Sequence, residues 1–139
     1  MSERWVQHRR DEIRCSGMNE TLSQKINGAW NAFTRFNPYV RNILRQISHM
    51  REKGLCEEAI GLCDMVLTLD PCNPSVFHAK GKILEDVGKL EEAVSCYHLA
   101  LEFDPFNAET WYNLGVILSR IGDPEEGARC IHQGVSLGG

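Results

Sequence analysis

The side chains with the clearest capacity for chemistry are six cysteines (Cys15, Cys56, Cys63, Cys72, Cys96, Cys130) and five histidines (His8, His49, His78, His98, His132). No two cysteines stand at the C-x-x-C spacing of a zinc or redox centre. Cys96-x-His98 and Cys130-x-His132 look like ligand pairs that recur along the chain. On a helix, however, residues i and i+2 point to opposite sides, so neither pair can grip one ion. The histidines have no serine or cysteine at a spacing that makes a nucleophile pair. Three acidic doublets, Glu57-Glu58, Glu91-Glu92 and Glu125-Glu126, could suggest paired carboxylates. Each fits the start of a helix instead, where the helix dipole favours negative charge. No Gly-rich phosphate loop, G-x-S-x-G elbow or H-E-x-x-H helix is present. The expectation is a protein with no catalytic residue, no metal and no cofactor.

Charge gives a second set of candidates. Arg4, Arg9, Arg10 and Arg14 flank Trp5, a combination that could neutralise phosphates and stack on a base. The cluster is short, Asp11-Glu12 interrupts it, and the chain as a whole carries a net charge of −4. A solvated helix face accounts for it better than nucleic-acid binding. Residues 1–53 are net basic and residues 54–139 net acidic. The acidic half follows from the repeated doublets, so the basic half says more about partners. Apolar content of 42% and charged content of 24% are ordinary for a globular protein. No apolar run approaches the roughly 18 residues of a membrane span, and Met-Ser-Glu-Arg-Trp is no export signal. A soluble, cytoplasmic protein is expected.

The elements that must position these residues recur with a fixed step. Moving 34 residues along turns Phe77 into Trp111, Gly81 into Gly115, Leu84 into Leu118 and Gly88 into Gly122. Moving back by the same step turns Gly88 into Gly54 and Asp104-Pro105 into Asp70-Pro71. Such a period marks a stacked repeat array. Within 74–107, Phe77, Gly81, Leu84 and Val87 share one face of a helix. Asn73 is suited to cap that helix, Pro74 to open it and Gly88 to end it in a left-handed conformation. Glu91-Glu92 then open a second helix with Ala93, Tyr97, Ala100 and Leu101 as its apolar stripe. Gly81 and Ala93 are small where the two helices must approach. Cys63 stands where Tyr97 and Ile131 stand, which predicts a small buried hydrophobe.

The units are expected over 40–73, 74–107 and 108–139. In the first, Ile47 replaces the small residue and should hold its helices farther apart. In the last, Gly127 and Gly134 should weaken the second helix. Residues 1–39 are expected to be a helical segment, a degenerate repeat or cap, with helices near 5–15 and 19–35.

These residues resemble the tetratricopeptide repeat (TPR) family. Trp111, Leu114-Gly115 and Leu118 match the first half of its pattern, and Ala93, Tyr97 and Pro105 the second. The resemblance implies an all-α, right-handed superhelical stack of helix–turn–helix hairpins. It also implies a non-enzymatic protein–protein interaction module whose first helices line a concave groove for a peptide or partner helix. On that face the candidate contacts are Arg41, Leu44, Arg45, Ser48, His78, Lys82, Tyr112, Asn113 and Val116. Leu44, Tyr112 and Val116 are apolar where the hairpin does not bury them. Arg41, Arg45 and Lys82 set positive charge toward one end and Tyr112 and Val116 set apolar surface toward the other. A partner segment with an acidic end and an apolar end would complement both. The carboxylate clamp of a chaperone-binding subset of the family would need Lys and Asn where this chain has Leu44 and Ser48, Asn at Ala79, and Lys and Arg at Glu109 and Asn113, so that activity is not expected. The alternative is self-association, through an open C-terminal repeat stacking on another copy.

Overall fold

The computed structural model describes residues 37–138. The helices expected near 5–15 and 19–35 lie outside them. The described chain forms six helices: α1 (Pro38–Glu52), α2 (Cys56–Leu69), α3 (Pro74–Asp86), α4 (Leu90–Phe103), α5 (Ala108–Arg120) and α6 (Pro124–Gly138). They pair as successive hairpins, and no strand occurs among the described residues.

Local chemistry sets the ends. Asn37, Asn73 and Asn107 precede α1, α3 and α5, and each side-chain oxygen accepts from backbone N–H groups of the first turn. The distances are 2.9 Å to Tyr39, 3.0 Å to Ser75 and 3.1 Å to Thr110. Such a cap satisfies donors that the helix itself leaves unpaired. Asn73 is buried, and its amide also donates to Asp70 at 3.0 Å. At the other end, Gly54, Gly88 and Gly122 adopt φ of 79°, 85° and 103°. The reversed turn lets Leu55, Lys89 and Asp123 donate back to the carbonyls of Met50, Leu84 and Leu118, each at 2.9 Å. These three glycines fix where each hairpin turns.

The core runs as a chain of local clusters. Ile47, Ala59, Cys63, Val66, Val76 and Ile83 join α1, α2 and α3. Leu84, Val94, Tyr97, Leu101, Leu114 and Ile117 join α3 through α5, and Cys130 brings in α6. Phe77 and Phe103 stack with centroids 6.0 Å apart. Each hairpin therefore buries its face against its neighbours, as expected of a stack of repeats.

The three hairpins close to different degrees. At Gly81 an added Cβ would stand 2.7 Å from the Tyr97 ring, so glycine there leaves room for the ring against α3. The Tyr97 hydroxyl donates to Glu85 at 3.2 Å. In α1 the equivalent residue is the buried Ile47, and the facing aromatic has become the small Cys63. Bulk has moved from one helix to the other, and α1 and α2 touch less intimately than either later pair, as the sequence predicts.

The last hairpin corrects an expectation. Gly127 and Gly134 do not weaken α6; they lie at its closest approach to α5, the tightest helix pair. A Cβ at Gly127 would stand 2.7 Å from the Gly115 carbonyl and overlap the Ser119 hydroxyl. One at Gly134 would stand 2.9 Å from the Ala108 carbonyl. The loss of helix propensity, about 0.5–1 kcal/mol per glycine, is offset by backbone-to-backbone packing that no larger residue permits.

Candidate functional site

The candidate contact residues belong to the first helix of each hairpin: α1, α3 and α5. Where α1 and α3 meet the start of α5 there is a pocket of about 250 Å³. Leu44, Ile47 and Ala79 give it an apolar wall, and Ser48, Ser75 and Asn107 give it hydroxyl and amide groups. Arg51, His78, Lys82 and Glu109 complete the lining.

Of the residues expected from sequence, the structure brings Leu44, Ser48, His78 and Lys82 together in this pocket. Arg41 and Arg45 stand exposed on α1, outside the lining. Tyr112 is 50% exposed on α5; Asn113 and Val116 beside it are partly buried. None of the three lines the pocket. The apolar end and the pocket are therefore separate parts of the helix row.

Electrostatics alter the picture drawn from sequence. Lys82 is no free cation, because its Nζ reaches Glu109 Oε1 at 3.0 Å. His78 Nε2 lies 3.5 Å from the same oxygen, while His78 Nδ1 bonds the buried Thr110 hydroxyl at 2.7 Å. Burial pulls the His78 imidazole below its ordinary value, with Glu109 opposing. The Lys82 hydrogen bond holds the Glu109 carboxyl below the usual glutamate value. Farther along, Arg51 Nε meets Asp86 at 2.5 Å and Arg120 meets Glu85 at 3.5 Å. These two pairs cross from one hairpin to the next.

Sequence reasoning missed Ile47, Arg51 and Asn107 as lining residues. The signal for Arg51 was present. Arg51 and Asp86, and then Glu85 and Arg120, are opposite charges separated by the same number of residues, about one repeat apart. On the outer helices, His98 is partly buried, and its Nε2 has no hydrogen-bond partner among the described residues. Burial pulls the His98 imidazole below its ordinary value, with the charge of Glu126 on α6 opposing. Cys63 behaves as expected: it is fully buried, and desolvation pushes its thiol up to about 12. The Cys130 thiol is likewise raised, to about 11. Among the described residues no helix is long and apolar enough to cross a membrane.

Helix hairpins repeated at a fixed step, each sealed by the same caps, define an all-α helical repeat stack. Residues 81–122 match a family model described as TPR repeat, and residues 108–137 match one described as tetratricopeptide repeat. Residues 81–137 are thus matched as tetratricopeptide repeats.

Solved structures agree on the fold. The chain is similar to the Sgt2 TPR domain from Aspergillus fumigatus, with a TM-score of 0.68 and 20% identity, over 73% of this chain and 68% of that one. It is also similar to MamA, with a TM-score of 0.65 and 16% identity, over 83% of this chain and 66% of that one, just under two thirds of its length. MamA 41-end from Desulfovibrio magneticus RS-1 gives a TM-score of 0.64 at 14% identity, over 99% of this chain and 76% of that one. No curated protein sequence matches the chain.

Proposed function

We propose that the chain is a protein-interaction module that takes an extended segment of a partner protein along α1, α3 and α5. The observation that carries this reading is the pocket, whose apolar wall of Leu44, Ile47 and Ala79 stands open beside hydroxyl, amide and charged groups. A segment whose apolar side chain enters the pocket would leave its backbone near Ser48 and Asn107. Arg41 and Arg45, exposed one helical turn apart, make no ion pair among the described residues and favour an acidic stretch beside α1. Tyr112 and Val116 extend apolar surface along α5 for the other end of the segment.

The test is affinity for a partner recovered with the intact chain. Tyr112→Ala should weaken binding about tenfold at any salt, as loss of an aromatic anchor does. Arg45→Ala should act mainly at low salt, because exposed charges are screened. A partner whose affinity ignores both changes binds elsewhere. A second reading, self-association, has one observation in its favour. Val135 of α6 is 63% exposed at the register position where α4 buries Leu101. Sedimentation over a concentration series decides it, since a monomer throughout excludes stacking through that face.

A further inference from the structure

The carboxylate of Glu109 occupies a prepared position. His78 is pinned by its Nδ1 contact with the buried Thr110 hydroxyl, 2.7 Å away, so its Nε2 is fixed in direction. The neutral tautomer that accepts from Thr110 at Nδ1 presents an N–H at Nε2. Lys82 Nζ points to the same place, and both meet a single oxygen, Oε1 of Glu109. The donor side chains are largely covered, at 13% and 32% exposure, whereas the Glu109 side chain is 60% exposed. The donors are preorganised and the acceptor lies at the surface, in the wall of the pocket.

We propose that Glu109 is an internal latch, an intramolecular carboxylate that a partner's aspartate or glutamate displaces from Lys82 and His78. The inference rests on the groove reading above and adds its selectivity. One carboxylate replaces another, so no charge is left uncompensated at the donors. A neutral side chain would leave the Lys82 ammonium to water alone, so it competes less well than a carboxylate. The exposed acceptor also keeps the exchange inexpensive, because exposed ion pairs are weak. Acidic segments are thus selected at the pocket as well as along Arg41 and Arg45, and the resting protein covers its own selective position.

The experiment uses the full chain and a short fluorescein-labelled peptide of alternating glutamate and leucine, read by fluorescence anisotropy. A second peptide carries glutamine in place of glutamate. Glu109→Gln should bind the acidic peptide about fivefold more tightly than wild type at low salt, with the gain shrinking as salt is added. Glu91→Gln makes the same charge change on α4, away from the pocket, and should leave affinity unchanged. Lys82→Met in the Glu109→Gln background should abolish the gain, and the glutamine peptide should not distinguish the variants. Equal affinity of wild type and Glu109→Gln for the acidic peptide would overturn the latch and leave the groove reading standing. A gain that persists without Lys82, or that Glu91→Gln reproduces, would overturn it too. No binding by any variant would overturn both.

Discussion

At the scale of single residues, two side-chain environments make opposed forces measurable. Helix propensity alone says that Gly127→Ala should stabilise α6 by about 1 kcal/mol. Packing says the reverse, because the added methyl meets the Gly115 carbonyl and Ser119. Loss of about 1–3 kcal/mol is expected, typical of overpacking, and thermal melting reads it directly. An unchanged or raised Tm would mean that α5 and α6 stand farther apart than described. His98 supplies a pH dependence. Desolvation lowers its pKa from the ordinary 6.5, and burial does the same to His78. The unfolded chain therefore takes up protons first as pH falls. The stability these neutral imidazoles permit is complete above pH 6.5 and declines as pH drops below that value toward their folded pKa values. Tm should fall between pH 7.5 and 5.5, and His98→Gln should reduce the slope. An equal slope in that variant would place the titration at another group.

At the scale of elements, the hairpin is the unit that the sequence makes legible. Asn73, Pro74 and Gly88 announced the start and stop of α3, and the same chemistry set the other first helices. What pattern could not settle was the sign of a glycine inside a helix. Gly127 and Gly134 read as weak points because propensity is local, whereas close approach depends on the facing helix α5. The proposed groove face was legible only by family resemblance. Four of its expected residues converge on the pocket, and the charges of Lys82 and Glu109 cancel in a way no single-helix pattern displays. The exchange of Ile47 and Cys63 for Gly81 and Tyr97 is testable at this scale. Gly81→Ala should destabilise by about 1–3 kcal/mol against the Tyr97 ring. In a Tyr97→Leu background the same change should cost less, giving a coupling energy of about 1 kcal/mol in a double-mutant cycle. Additive losses would show that the ring does not limit the approach.

At the scale of the molecule, neighbouring hairpins are joined by apolar clusters and by ion pairs that cross the joints, among them Arg51–Asp86, Lys80–Asp64, Lys82–Glu109 and Arg120–Glu85. A stack of this kind is stable through its nearest neighbours, so it can open one unit at a time. The graded closeness of the hairpins has a kinetic meaning. Each unit carries its own buried thiol: Cys63 in α2, Cys96 in α4 and Cys130 in α6. A buried, protonated thiol meets an alkylating reagent only after its hairpin opens. The chain thus contains three built-in clocks. Among the described residues, iodoacetamide under native conditions should mark half-buried Cys56 before Cys63 of the looser first hairpin, and Cys130 of the glycine-sealed last hairpin far later. Peptide mass spectrometry along a time course reads the sequence of events, and Cys130 reacting ahead of Cys63 would reverse the order of opening. The expected order would mean that the described hairpins come apart in a direction, from first to last, with each joint leaving a covalent record of when it yielded.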